Sequence, residues 1–194
     1  MGSEPLTLGF DTSAAHCAAA LVSGDRVLAA TSEDMTRGQA ERLLPLLEDM
    51  LAAHSVGWSD LARLGVGVGP GNFSGIRISV SAARGLALSL GIPAIGVTTF
   101  ETTALTAPHT QIPAVPAPQN QVYIAPSGTA PHLIPISDAP AIALPPPGAI
   151  LAQNIARIAA QSAPPFARPA PLYVKPADAA PARDTPPRLL DDDR

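Results

Sequence analysis

The hydrophobic positions of the first hundred residues change period several times, and each change marks an element. Leu6–Phe10 is a short apolar run that stops at Asp11-Thr12-Ser13, and Cys17–Val22 is a second; both have strand length. Ser23-Gly24-Asp25 reads as a hairpin turn into a third strand, Arg26–Ala30. Apolar residues then recur at three- and four-residue steps, predicting a helix that runs to about His54 and opens on the capping-box spacing Thr36-x-x-Gln39. Pro45 lies inside that helix, where it removes one backbone hydrogen bond and predicts a kink. Leu64–Val68 reads as a buried strand, Gly69–Phe73 as a tight loop and Ser74–Leu90 as a second helix. Ala94–Val97 is another strand and Thr98–Ala107 a third helix.

Three strands, a helix, a strand, a helix and a strand predict an α/β fold, a mixed sheet flanked by helices. That is the element order of a ribonuclease-H-like domain. Beyond residue 107 the pattern weakens. Residues 1–107 hold four of the 23 prolines, and the remaining residues hold nineteen. Between Pro108 and Ala160 the charged residues are Asp138 and Arg157 alone. Short strands are expected at Gln111–Val115, Gln121–Ala125 and His132–Ile136, a helix at Ala149–Gln161, and a last strand at Leu172-Tyr173-Val174. Three divisions follow: a domain over 1–107, a shortened proline-rich second domain over 108–178, and a tail over 179–194 expected to be disordered.

Charge and cysteine usage narrow the function. A formal net charge of −4 disfavours a protein that grips a polyphosphate by itself. Lys175 is the only lysine, so a phosphate site built on lysine has one candidate. One cysteine, Cys17, allows no intrachain disulfide and suits a reducing compartment. The start MGSEPLTLGF lacks a basic leader, and no apolar run has membrane-spanning length. A soluble, cytoplasmic protein with no membrane contact is expected.

Two segments carry candidate chemistry. At Asp11-Thr12-Ser13 a carboxylate and two hydroxyls at a strand end could orient a magnesium-bound water or cradle phosphate. The same residues also cap turns, and from the residues alone capping is favoured. The run Gly69-Pro70-Gly71-Asn72-Phe73-Ser74-Gly75 leads from a strand into a helix start, a natural anion site. It matches neither the dinucleotide fingerprint, nor the P-loop, nor the G-x-S-x-G elbow. A structural loop that turns the chain tightly and caps the helix through Ser74 or Asn72 fits equally well. His16, His54, His109 and His132 are scattered, and the acidic pairs and Asp191-Asp192-Asp193 read as solvated. No metal site and no catalytic residue is expected.

The two N-terminal helices are more apolar than one core face requires. On the second, Ile76, Val80, Ala83, Ala87 and Leu90 form one stripe. Ile78, Ala82, Gly85 and Leu86 form another. On the first helix Leu43, Leu44, Leu47 and Leu51 also exceed one stripe. These eight residues are expected to form a partner interface. The bland alternative is that the second domain covers them.

Four segments together resemble one family: LGFDTS, RGQAERLLPLLEDML, VGVGPGNFSGIRISVSAARGLALSLGIPAIGV and, more weakly, PLYVKPADAAPARD. The G-P-G-x-[FY]-[ST]-G-[IL]-R run is the most specific. The resemblance is to the TsaB (YeaZ) family. It implies the actin, sugar-kinase and heat-shock-chaperone superfamily fold, with two ribonuclease-H-like domains, the second reduced here. It implies a non-catalytic partner of the subunit TsaD and the ATPase TsaE in transferring threonylcarbamoyl to the adenosine beside the tRNA anticodon. ATP and divalent metal would then belong to the partner subunits, with none bound tightly here. A homodimer is expected in isolation, and tRNA is met through the complex. Asp11, Thr12 and Ser13 would be a vestigial phosphate or nucleotide site. Where the family often has R-G-H-S-E-R, this chain has Gln39, losing the histidine. Where the family often has Asp-Ala-Arg, it has Pro116-Ala117-Pro118-Gln119-Asn120. The competing class is an independent nucleotide-dependent enzyme of the same superfamily, or a glycoprotease-type hydrolase.

Overall fold

A computed structural model describes residues 4–174. Strands β1 (Leu6–Asp11), β2 (His16–Ser23) and β3 (Arg26–Asp34) form an antiparallel meander. Helix α1 (Gln39–Ala53) leads to β4 (Leu61–Gly67), which pairs parallel with β1. Helix α2 (Phe73–Leu90) leads to β5 (Ala94–Val97), parallel with β4, and α3 (Thr99–Ala104) follows. The resulting sheet has the order β3-β2-β1-β4-β5, the ribonuclease-H-like arrangement the element order predicts. Next come β6 (Ile112–Ala117), β7 (Gln121–Ile124), β8 (His132–Pro135) and β9 (Ile142–Ala143), a second sheet of order β8-β7-β6-β9. Helix α4 (Gly148–Gln161) then returns to the first sheet.

Strand alternation sorts the first sheet's two faces. Leu8, Phe10, Cys17, Ala19, Leu21, Leu64 and Val66 point to one side and pack with Leu43, Leu47, Ile76 and Val80 of α1 and α2. Ala18, Ala20 and Val22 point to the other and meet Ala152 and Ala156 of α4. The α4 face is built small. A methyl on Gly9 would lie 2.6 Å from the Ala156 nitrogen, and one on Gly65 would lie 2.9 Å from the Ile155 carbonyl oxygen. Glycine at these strand positions therefore lets the helix backbone settle directly on the sheet. Arg63 ends the contact by donating to the carbonyls of Ala159, Ala160 and Ser162 at the C-terminus of α4.

Several element boundaries differ from the sequence expectation. Helix α1 begins three residues later than Thr36, with Gly38 as N-cap at φ 88°. That left-handed turn is cheap for glycine, so the chain bends at 38, and Gln39 Nε2 donates to the Met35 carbonyl at 3.2 Å instead of closing a capping box. Helical structure continues through Pro45. The expected helix Thr98–Ala107 is shorter; Thr98 caps α3, with Glu101 completing the capping box. Leu172–Val174 does not join a sheet as a strand, although the Leu172 N–H donates to the Val68 carbonyl at 2.8 Å. The expectation for 179–194 lies outside the described residues. Helix α4 comes from beyond residue 107, yet it forms part of the N-terminal sheet's core.

Candidate functional site

The carboxyl ends of β1, β4 and β5 and the amino ends of α2, α3 and α4 surround one cleft of about 750 Å³. Ser13, His16, Asn72, Thr99, Tyr123 and Pro147 are among the residues lining it. Its far wall comes from the second sheet and the Leu144–Gly148 run, so both halves of the chain build it.

Asp11 ends β1 and is buried, 1% exposed. Its Oδ2 accepts three hydrogen bonds: from the Ser13 N–H at 2.8 Å, the Ser13 hydroxyl at 2.9 Å and His16 Nε2 at 2.8 Å. A carboxylate oxygen only accepts, so Nε2 carries the imidazole proton in this contact. Oδ1 has no hydrogen-bond partner among the described residues and packs against Gly67, where any side chain would overlap it. Thr12 donates its hydroxyl to the Gly75 carbonyl at 2.7 Å, and the Ser13 carbonyl accepts from the Asn72 N–H at 2.6 Å. Apart from Oδ1, the side-chain polar groups of Asp11, Thr12 and Ser13 are thus spent on one another, on His16 and on the facing loop.

That loop is held close against the turn at Gly71 and Gly75. Methyl groups at Gly71 and Gly75 would overlap the carbonyl oxygens of Ser13 and Thr12. The positive φ lies at Gly69, 90°, rather than at Gly71. The Gly69 carbonyl accepts from the Thr99 N–H at 2.8 Å, and the Pro70 carbonyl accepts from the Thr99 hydroxyl at 3.1 Å. Asn72 is the cap of α2, its side-chain oxygen accepting from the Gly75 N–H at 3.0 Å. Ser74 is exposed. Phe73, also exposed, lies 5.1 Å from the Tyr173 ring and carries the Arg77 guanidinium 3.8 Å above its centroid.

The chemistry of this arrangement is limited. In a serine–histidine–carboxylate triad the histidine sits between the other two. Here Ser13 and His16 bond the same oxygen of Asp11. Neither polarises the other, so Ser13 is held as a donor to carboxylate and not as a nucleophile. No group of three His, Cys, Asp or Glu residues assembles among the described residues. No lysine or arginine lines the cleft among them either. Burial raises the Cys17 thiol from about 9 to about 11, so it stays protonated and unreactive at neutral pH. Two residues that matter here were not singled out as functional from sequence: His16, set aside as one of four scattered histidines, and Thr99. Their signal was positional: His16 opens β2 after the turn that Asp11 begins, and Thr99 follows β5.

The expected partner surface divides. Leu43, Leu47 and Leu51 are at most 2% exposed and belong to the core, because α1 needs its full inward face to cover a sheet of large side chains. Leu44 is 44% exposed. With Ile78 and Ala82 it lines a groove of about 400 Å³ between α1 and α2. Leu86 is half-buried against the core, and Gly85 faces a different groove beside Arg84 and Leu88. The second sheet does not supply the lining of the α1–α2 groove.

The family model described as "TsaD: tRNA N6-adenosine threonylcarbamoyltransferase" matches residues 30–174. The tRNA threonylcarbamoyladenosine biosynthesis protein TsaB of Escherichia coli (strain K12) is 38% identical over 97 residues, which is 50% of this chain and 42% of that protein. The protein of the same name from Bacillus subtilis (strain 168) is 33% identical over 119 residues, 60% of this chain and 52% of that protein. The chain thus spans about half the length of the curated relatives it matches. Among solved structures, YeaZ from Pseudomonas aeruginosa superposes with a TM-score of 0.67 at 23% identity, covering 87% of this chain and 99% of that one. The last likeness establishes the fold; the sequence matches establish the lineage. The chain belongs to the family that the TsaD model describes and, within it, to the TsaB (YeaZ) group.

Proposed function

We propose that this chain is a non-catalytic scaffold and activating subunit in the transfer of threonylcarbamoyl to the adenosine beside the anticodon of tRNA. The observation that carries the reading is the inward closure of Asp11, Thr12, Ser13 and His16, which leaves no nucleophile paired with a base. The names of the relatives, biosynthesis proteins for tRNA threonylcarbamoyladenosine, supply the pathway. The groove at Leu44, Ile78 and Ala82 supports a partner role, because an exposed apolar seam between two helices suits helix-on-helix packing. The partner is TsaD, with TsaE joining the pair; ATP and divalent metal act in those subunits. The turn at Asp11-Thr12-Ser13 is retained for its bonds to the loop that opens α2. In isolation the same groove brings two copies together. A cytoplasmic location follows from tRNA as the shared substrate.

Reconstitution tests this directly. Adding the chain to its cognate TsaD and TsaE, the adenylate synthase, ATP, threonine and bicarbonate should restore tRNA modification. Equal modification without the chain would remove the scaffold role. Turnover of ATP or peptide by the chain alone, abolished by Asp11→Ala, would instead favour the independent-enzyme reading.

A further inference from the structure

A second groove, of about 650 Å³, lies on the other flank of α2 and is claimed by neither the cleft nor the α1–α2 seam. Leu88, Ala87, Pro93, Phe166 and Pro169 form its apolar surface. Leu88 is 85% exposed, the most exposed of the large apolar side chains among the described residues. The rim is cationic. Arg84 and Arg168 line the groove, and the Arg63 guanidinium sits 5.4 Å from the Phe166 ring. No carboxylate lines it among the described residues, and the ion pairs found there use His16 and Arg42. An apolar floor with a basic rim that has no carboxylate partner among the described residues fits a segment that presents leucines followed by acids.

The chain carries such a segment. Leu189-Leu190 stand directly before Asp191-Asp192-Asp193. We propose that this groove is the docking site of the chain's own segment 188–193, the leucines covering Leu88 and Phe166 and the aspartates meeting Arg84 and Arg168. Connectivity favours the intramolecular occupant. Phe166–Pro169 leads within a few residues to Val174, and the stretch from there to Leu189 can reach about 50 Å. A tether of that kind holds the segment at an effective concentration of order millimolar, so even a weak contact is populated. Because part of the attraction is electrostatic, added salt weakens it.

Cysteine cross-linking on the full chain decides the matter. A methyl group at Gly85 would meet open space, so Gly85→Cys leaves the helix intact; paired with Pro187→Cys, it places two thiols across the proposed contact. The one native cysteine, Cys17, is buried and does not compete. Mild oxidation of dilute protein should give an intrachain disulfide, since docking brings the two positions within bonding range. Adding Leu189→Asp with Leu190→Asp, or Arg84→Glu with Arg168→Glu, should lower its yield by about tenfold. An absent intrachain bond, a yield that these changes leave alone, or a disulfide joining two chains would each overturn the proposal. Hydrogen exchange checks the unaltered groove: Leu189→Asp with Leu190→Asp should speed exchange at residues 84–94, and unchanged protection there counts equally against docking.

Discussion

Gly75 and Gly85 lie on the same helix, and an alanine at each has opposite expected consequences. At Gly75 the new methyl overlaps the Thr12 carbonyl oxygen, a backbone atom held by the hydrogen-bonded turn. Something rigid must move, so Gly75→Ala should lower stability by about 2–3 kcal/mol. At Gly85 nothing lies within reach, and Ala is the better helix former by about 0.5–1 kcal/mol. Urea midpoints of the two variants should therefore shift in opposite directions; two shifts of one sign would contradict the geometry. Cys17 gives a second residue-scale test. Its thiol is raised in the fold, so the neutral form is favoured there, and that contribution is complete below about pH 9 and lost as pH rises towards about 11. Cys17→Ala should make the alkaline fall in stability shallower across that window, and an unchanged pH profile would exclude the thiol as its source. The sequence made the glycine-rich loop conspicuous but not its reason. The constraint at Gly71 is the Ser13 carbonyl, and proximity to a turn so far back in the chain is not written in local pattern.

At the scale of elements, period and strand alternation carried most of what could be read. The sheet order follows from three strands, helix, strand, helix, strand, and Leu8, Phe10, Leu64 and Val66 mark the face that α1 and α2 cover. The glycines that alternate with those side chains at positions 9 and 65 lie on the opposite face. They leave room for close packing, and only the structure identifies what packs there as α4, a helix from the other half of the chain. Gly9→Ala should consequently push α4 off the sheet, costing about 1–3 kcal/mol, although alanine is otherwise harmless in a strand. A Gly9→Ala protein with unchanged thermal unfolding would mean that α4 does not sit where the structure has it. The start of α1 was misplaced for a related reason. Thr36-x-x-Gln39 is a fair cap by spacing, but a glycine two residues on offers a left-handed turn that no spacing rule weighs.

For the molecule as a whole, the change at residue 107 was visible in proline content, but its meaning was not. The proline-rich half folds into its own small sheet and then sends α4 back, so each half completes the other and the cleft lies between them. Excess apolarity on α1 and α2 was likewise visible, and roughly half of it proved to be core. What remains, Leu44 with Ile78 and Ala82, is a seam that the second sheet leaves open. Ala82 is half-buried at its floor, so a longer side chain there projects along the groove and not into the sheet. Ala82→Arg should for that reason leave thermal unfolding within about 1 kcal/mol of the parent. In the proposed complex the same guanidinium would be desolvated against apolar side chains with no carboxylate in the groove, which should weaken binding to TsaD by at least about tenfold. Asp138→Arg, in the short 3-10 turn that follows β8, places an arginine on a surface outside the seam and should leave binding intact. Size-exclusion chromatography of each variant with TsaD, alongside circular dichroism, separates the outcomes. A full-strength complex with Ala82→Arg would move the partner surface elsewhere, and loss of the complex with both variants would mean that the effect is not local to the groove.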